Sequence, residues 1–276
     1  MYLIKADQNF KSNLSEILCR GNWNEQPRAK YLDGTPAHTI YITQVAEKYD
    51  LNMGEFPFTT LRNTAIKKGI QEILWIYQKQ SNSLKLAHEM SIDWWDNWDV
   101  GDGTIGLRYG ATVKEFGLMD NLLKRLETDP FSHRHIISLW QEEHIQSIGL
   151  MPCAFMTMFS VRRKFSDLYL DMTLTQRSSD YIMAGYINKM QYVAFQMMVA
   201  GHLGYKVGHF SHIVQNLHIY DRHVAAAMEL IEKPSLRYQP RIILKENKNF
   251  YDYTVDDFEI FAPRITKIRC PLEIAI

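Results

Sequence analysis

The strongest constraint on the fold is a β-hairpin pattern in the middle of the chain. Apolar residues alternate from Phe155 to Val161 and again from Leu168 to Leu174, and the polar segment 163–167 separates the two runs. Alternation with a period of two is typical of strands that bury one face. The pattern therefore predicts two long antiparallel strands joined by a turn.

Reactive and hydrogen-bonding side chains lie at one end of this predicted hairpin. Pro152 directly precedes Cys153, which places the thiol at the mouth of the first strand, and the polar run 176–180 ends the second strand. Two neighbouring strands that end in such residues make a plausible small-molecule site. Because the thiolate is the nucleophilic form of cysteine, Cys153 needs a cationic or donor environment, which Arg177 could supply.

Further helices and strands flank the hairpin. Periodicity and turn residues predict helices at 9–20, about 65–78, 119–126, 188–201 and 222–231, and strands at 39–45, 136–140, 206–220, 241–244 and 258–261. The helix at 65–78 carries Glu72 beside a broad apolar face, so this carboxylate is either a group with a perturbed pKa or an ordinary surface glutamate. We expect a single domain over residues 1–276, because no repeat, low-complexity linker or strong boundary interrupts the chain.

Composition limits the classes of function. The 31 basic residues equal the 31 acidic residues, so no global field attracts nucleic acid or an anionic membrane, and any phosphate site must be local. No apolar run approaches the roughly 20 residues that span a bilayer, and the N-terminus lacks a signal-peptide layout. We therefore predict a cytoplasmic protein. Free thiols are expected at the three cysteines, Cys19, Cys153 and Cys270, because their odd number and wide spacing do not suggest a disulfide framework or a zinc ribbon.

Two motifs suggest other functions at first sight. Residues 101–106 match the glycine fingerprint of dinucleotide-binding proteins, but the fingerprint has meaning only between a strand and a helix, and a turn that presents Tyr109 is the better interpretation. Four histidines cluster between His209 and His223, but His209 and His212 are three residues apart on a predicted strand and so point to opposite faces. We therefore expect no metal site.

Several short motifs occur together in a fixed order. They are Pro152-Cys153, Gln176-Arg177-Ser178-x-Asp180, Asn188 and His218-x-Tyr220. In this order the motifs resemble the thymidylate synthase family. The likeness extends from Arg28 to Ala275-Ile276 and is closest to a bacterial branch that has Asp33-Gly34-Thr35 after the first arginine.

The resemblance implies a fold and a reaction. The fold is α/β (α+β), a mixed sheet covered by helices on one face and stacked against its copy in a homodimer. The reaction is the reductive methylation of dUMP to dTMP, in which the Cys153 sulfur adds to C6 of the uracil ring. The cosubstrate 5,10-methylenetetrahydrofolate supplies both the carbon and the hydride and leaves as dihydrofolate. Neither a metal nor a nicotinamide is required.

The resemblance also assigns roles to matched residues. The implied catalytic residues are Cys153, Glu72, Tyr109 and Asp180. The implied dUMP site consists of Arg28, His133, Arg134, Gln176, Arg177, Ser178, Asp180, Asn188, His218 and Tyr220. The implied folate contacts are Trp95, Trp98, Asp180 and Ala275, although the tryptophan cluster is also compatible with ordinary core packing.

The resemblance also implies individual roles for these residues. Arg28, Arg134, Arg177 and Ser178 would bind the 5′-phosphate, and in the family the arginine at the position of Arg134 reaches across the dimer into the neighbouring site. Asn188 can both donate to and accept from the uracil edge. His133 stands where the family commonly has another arginine, so we expect dUMP affinity to fall as the pH rises through neutrality.

Three alternatives remain open on sequence grounds. The nearest is a pyrimidine deoxynucleotide hydroxymethylase on the same scaffold, in which water captures the exocyclic methylene. A second is a cysteine hydrolase that uses Cys153 with His218 and Asn188. The third is a nucleotide- or RNA-binding protein without catalysis, which the balanced charge makes less attractive.

Overall fold

The predicted hairpin is present and longer than its alternating core. A computed structural model describes residues 4–276. Residues 1–3 lie outside the described part, and they include the start of the N-terminal segment in which we expect no signal peptide. Strand β4 (Ala154–Lys164) pairs antiparallel with β5 (Asp167–Asp180), which confirms the hairpin. The turn between them includes Phe165, whose φ is 56°.

The hairpin belongs to a six-stranded mixed sheet. The other strands are β1 (Asn22–Trp23), β2 (Thr39–Asp50), β3 (Ile136–Ser138) and β6 (Lys206–Tyr220). The strand order is β1-β2-β6-β5-β4-β3, in which β5 and β6 pair in parallel and the other neighbours pair antiparallel. This arrangement confirms the mixed sheet. Two short strands, β7 (Arg241–Leu244) and β8 (Phe258–Phe261), form a separate antiparallel pair at the predicted positions.

The described part of the chain also contains eight α-helices. They are α1 (Lys5–Arg20), α2 (Ile66–Ile73), α3 (Leu84–Glu89), α4 (Gly110–Glu115), α5 (Leu118–Thr128), α6 (Glu142–Ile145), α7 (Gly185–Leu203) and α8 (Val224–Glu232). Short 3₁₀ turns include Asp96–Trp98 and Asp221–His223. Among residues 4–276, none of these helices combines the length and apolar character needed to cross a membrane.

Helix α7 is the centre of the core. It packs on β5, β6 and α2, and its residues are buried almost all the way round, which is typical of a helix enclosed by other elements. Helix α1 covers β2 on the same side of the sheet. The opposite face carries a row of paired positions that are half-buried or exposed, namely Lys48, Ser211, Thr173 and Met158. Helices therefore cover one face of the sheet, as predicted.

Element boundaries differ from the predicted ones where packing or polar contacts decide them. Helix α2 passes into a π-helical turn, Leu74–Gln78, in which all five residues are buried. Helix α7 begins at Gly185, three residues before the predicted start, because the Asp180 carboxylate accepts hydrogen bonds from the N–H groups of Ile182 and Met183 and turns the chain directly into it. Helices α3, α4 and α6 have at most six residues, too few to show a helical period.

Candidate active site

Cys153 stands at the edge where β4 begins and β5 ends. The backbone N–H of Arg177 donates to the Cys153 carbonyl at 3.0 Å, which joins the two strand ends. The Arg177 guanidinium donates to the carbonyls of Pro152 (3.0 Å) and Met151 (2.8 Å), so it is fixed beside the thiol, with Nη2 3.6 Å from Sγ. The predicted juxtaposition of thiol and arginine is therefore present.

The ionisation of the thiol reflects two opposed effects. Burial raises the pKa of Cys153, and the positive charges of Arg177 and Arg28 lower it without cancelling the effect of burial. The predicted cationic environment therefore exists, but its effect on the thiol pKa is smaller than that of burial.

Tyr109 contacts the backbone of Cys153. Its backbone φ of 47° is unusual for a residue with a side chain, and it directly precedes α4. The backbone N–H of Cys153 donates to the Tyr109 hydroxyl at 3.1 Å.

The motif at 101–106 forms a loop between a 3₁₀ turn and α4, outside any strand–helix unit, which confirms that it is not a dinucleotide fingerprint.

Glu72 is a buried carboxylate without a cationic hydrogen-bond partner among the described residues. The side chain is 6% exposed, and its oxygens accept hydrogen bonds from the Trp95 indole N–H at 2.5 Å and from the Gln191 amide. Burial raises the pKa of Glu72 to about 7, although the hydrogen bonds from Trp95 and Gln191 lower it. The perturbed pKa is confirmed, and the surface interpretation is wrong.

A polar cavity of about 380 Å³ opens beside these residues. Its lining includes Asn24, Arg28, Ser178, Asn216, His218 and Tyr220. The parallel register of β5 and β6 explains the grouping, because Ser178 is paired with Asn216 and Asp180 with His218. Burial raises the pKa of Tyr220 to about 12, and the nearby charges of Asp180, Cys153 and Arg28 also act on it. Cys153 does not line this cavity itself, but its thiol lies within electrostatic range of two lining residues, Arg28 and Tyr220.

Two asparagines are among the lining residues that the sequence did not identify. Asn216 lies two residues before His218 on β6, and its side-chain oxygen is 3.1 Å from His218 Nδ1. Asn216, His218 and Tyr220 alternate along one strand and share a face, so the period of two could have identified Asn216. Asn24 lies in a loop and has no such signal.

The aromatic and C-terminal candidates occupy different settings. Trp95 is buried and packs edge-on against Trp98 and Tyr109, with ring centroids 5.6 and 5.2 Å apart, whereas Trp98 is half-buried. Ala275 pairs with Tyr31 in an isolated antiparallel bridge, and the neighbouring Lys30 and Ile276 exchange backbone hydrogen bonds of 2.8 and 2.9 Å.

The basic loop before β3 is separate from the cavity. His133 and Arg134 are exposed, and neither lines the cavity of its own chain. The loop is held by its backbone, since the N–H of Ser132 donates to Asp129 and that of Ile136 donates to Arg134. The two side chains are therefore available to a neighbouring molecule.

Neither the cysteines nor the histidines form a cluster. All three cysteines are free, as expected. His212 is buried and bonded to Gln176, whereas His209 lies near Asp50 and Asp171, so the two rings do face apart. Over residues 4–276 there is no group of three or more histidine, cysteine, aspartate or glutamate residues placed to hold a metal ion.

Comparison with known proteins gives a consistent result. The family model described as thymidylate synthase matches residues 8–267. The chain is 49% identical to a thymidylate synthase of Streptococcus pneumoniae (strain 70585) and 48% identical to one of Streptococcus gordonii, covering 99% of this chain and 100% of each relative. Among solved structures, a thermostable thymidylate synthase A from Bacillus subtilis matches with a TM-score of 0.88 at 30% identity, covering 98% of this chain and 99% of that one.

Proposed function

This chain belongs to the thymidylate synthase family, and on that premise we propose that it methylates dUMP to dTMP with 5,10-methylenetetrahydrofolate as donor of the carbon and the hydride. The observation that carries the proposal is the position of Cys153, whose sulfur is 3.6 Å from Arg177 Nη2 and lies within electrostatic range of Arg28 and Tyr220, two residues that line a polar cavity. A nucleophile and an anion-binding group are thus held at one strand edge. The hydroxymethylase alternative is not favoured, because curated thymidylate synthases match the whole chain.

The cavity suits a nucleotide monophosphate. Arg28 and Ser178 line it, and Arg177 precedes Ser178 on β5, so two guanidinium groups and a hydroxyl are available for the 5′-phosphate. His218 and Tyr220 line the cavity from the end of β6 and would bind the 3′-hydroxyl of the sugar. In this pose the base lies toward Cys153 and Asn188.

Cys153 supplies the covalent step. Its thiolate sulfur forms a bond to C6 of the uracil ring, and the electrons of the C5–C6 double bond move to C5 and the 4-carbonyl oxygen. C5 then takes the methylene carbon of the folate. After loss of the C5 proton and elimination of the folate, a hydride from that folate completes the methyl group, and the S–C6 bond breaks to regenerate the thiol.

Glu72 and Tyr109 would manage the protons. A carboxyl group with a pKa of about 7 can both donate and accept a proton near neutral pH, which suits the changes at the 4-carbonyl oxygen. The Tyr109 hydroxyl is 3.1 Å from the backbone nitrogen of Cys153, close to where the C5 proton leaves. Asp180, Trp95, Trp98 and Ala275 would face the folate, and the C-terminal segment would close over it.

The chain would act together with a second copy of itself. The uncovered sheet face and the exposed His133 and Arg134 are compatible with a homodimer in which Arg134 contacts the phosphate in the other protomer.

We also propose a single catalytic domain, since one continuous apolar core includes residues from all large elements. A cytoplasmic location and the absence of a metal requirement stay predictions.

Mass spectrometry of the protein with 5-fluoro-dUMP and methylenetetrahydrofolate tests the proposal. We expect a covalent ternary adduct on Cys153 in the wild type and in Cys270→Ser, a matched control at another half-buried free cysteine, but none in Cys153→Ser. An adduct that persists in Cys153→Ser, or a wild type that forms none, would contradict it. Release of dihydrofolate with dUMP distinguishes methylation from hydroxymethylation.

A further inference from the structure

A chain of five polar side chains crosses the core between the sheet and α2. His212 Nε2 is 2.5 Å from Gln176 Oε1, Gln176 Nε2 donates to Asn188 Oδ1 at 3.3 Å, and Asn188 Nδ2 donates to Gln191 Oε1 at 2.9 Å. The Gln191 amide then donates to Glu72. Four of the five side chains are buried, and Asn188 alone is half-buried.

The Glu72 end gives this chain one direction. In its ionised form Glu72 only accepts hydrogen bonds, and it also accepts from Trp95, so Gln191 then turns its NH₂ group toward it. The oxygen of Gln191 then faces Asn188 and can be satisfied only by the Asn188 NH₂ group. The orientation of each amide thus fixes the next one.

The His212 end imposes the same direction. Burial and the positive charge of Lys189 lower the pKa of His212 to about 3, while the nearby Glu47 carboxylate raises it, so the ring is neutral. A neutral ring carries one N–H, and the contact with Gln176 Oε1 requires that hydrogen on Nε2. His212 therefore donates into the chain from one end, and Glu72 accepts at the other.

Close packing holds the middle of the chain in place. A Cβ atom added at Gly69 of α2 would lie 2.9 Å from Gln191 Cγ and 3.3 Å from the Ile187 side chain, both on α7. The glycine therefore lets the two helices approach closely enough for Gln191 to reach Glu72. Little space is left for Gln191 to turn over.

From this geometry we propose that Gln191 and His212 are positioning residues that hold the Asn188 amide in one orientation and thereby make the site select uracil over cytosine. The inference rests on the proposed function, in which Asn188 binds the base. Uracil presents an acceptor at O4 and a donor at N3, whereas cytosine presents a donor at N4 and an acceptor at N3. With two contacts used inside the core, Asn188 keeps one N–H and one lone pair for the base, and turning the amide over would match cytosine instead.

Variants at His212 test the inference through relative binding of dUMP and dCMP. His212→Phe keeps a flat ring but removes the donor to Gln176, so we expect the dUMP-to-dCMP affinity ratio to fall by roughly tenfold or more. His212→Gln restores an N–H donor, so its ratio should stay close to that of the wild type. Gln191→Met, which removes the acceptor for Asn188 at the other end, should also lower the ratio.

His144→Phe is the matched control. This histidine is also buried and bonded at both ring nitrogens, to Thr112 and Glu115, but it is not a member of the chain that ends at Glu72. Titration calorimetry should show an unchanged ratio for it. Folded His212→Phe and Gln191→Met proteins with the wild-type ratio would overturn the inference, and if only one of them folds, its ratio decides. A wild type that binds no dUMP and forms no adduct would instead refute the proposed function.

Discussion

Two glutamates of the same core, Glu47 and Glu72, are equally buried at 6% exposure but have different partners. Glu47 on β2 forms an ion pair with Lys189 at 2.8 Å and accepts further hydrogen bonds, including one from Tyr181 at 2.9 Å. Among the described residues, the hydrogen bonds to Glu72 on α2 come from neutral donors, including Trp95 and Gln191. The two glutamates are therefore equally buried, but Glu47 is paired with a cation, whereas the donors to Glu72 are neutral.

The pKa values respond in opposite directions. Burial alone would raise the pKa of Glu47, but the charge of Lys189 and the hydrogen bonds outweigh it and bring the pKa below its ordinary value. Burial raises the pKa of Glu72 to about 7, because no cation offsets it. A paired buried carboxylate thus remains a fixed charge, whereas an unpaired one gains and loses a proton near neutrality, as acid–base catalysis requires.

The largest effect that this comparison predicts is on the rate. Glu72→Gln keeps the shape and one of the two accepted hydrogen bonds but cannot exchange a proton, so kcat should fall by about 10² to 10⁴ while the fold is retained. Dihydrofolate formation measures the rate, and circular dichroism verifies the fold. A kcat within a factor of a few of the wild-type value would remove Glu72 from the catalytic set.

The next effect concerns stability. Lys189→Met leaves Glu47 buried without its cation and should cost about 3 to 5 kcal/mol in the free energy of unfolding, measured by denaturant titration. The double variant Glu47→Leu with Lys189→Met should recover most of that loss. Lys206→Met, which breaks an exposed pair with Asp167, is the control and should stay close to the wild type. Equal losses in the buried and exposed variants would contradict the distinction.

The pH dependence of stability should have opposite signs at the two sites. Because the folded-state pKa of Glu72 is raised, its contribution is fully present below pH 4.5 and is lost as the pH rises toward 7, up to roughly 3 kcal/mol. Because the folded-state pKa of Glu47 is lowered, its contribution is present above pH 4.5 and is lost as the pH falls further. Unfolding curves of the wild type and Glu72→Gln between pH 4.5 and 8 isolate the first contribution, and parallel curves would show that Glu72 does not titrate there.

The smallest effect is expected at the donor to Glu72. Trp95→Phe keeps an aromatic ring but removes the N–H that lowers the pKa of Glu72, so that pKa should rise further. The acidic limb of the kcat profile should then move to higher pH by no more than about one unit. Trp140→Phe, which removes an indole N–H that donates to the exposed Glu142 at 3.2 Å, provides a comparison. If the acidic limb of the kcat profile does not move in Trp95→Phe, a group other than Glu72 controls that limb.

Much of the fold was predictable from local patterns. The alternation along 155–174 predicted β4 and β5, and Pro152 before Cys153 predicted that the thiol would precede a strand, as it does. Strand β6 and the pair β7 and β8 also lie where residue types predicted them. These features depend on residues that are close in the sequence, so the amino-acid sequence alone contains the information needed to predict them.

The state of Glu72 was not predictable in this way. The sequence left two interpretations open, because a helix face that is apolar on several sides does not reveal what covers it. The covering residues, Trp95 and Gln191, are 23 and 119 positions away in the chain. The same holds for Asn216, which joins the site through the parallel pairing of β5 with β6.

The sequence by itself determined the longer strands and helices and the position of Cys153 and Arg177 at two strand ends, because side-chain period and short-range order specify them. Only the tertiary structure decided which buried carboxylate has a cation and which does not, and how the amides between His212 and Glu72 are turned. The physical reason is that a pKa and a hydrogen-bond direction depend on every group that surrounds a side chain, and the fold brings most of those groups from distant parts of the chain.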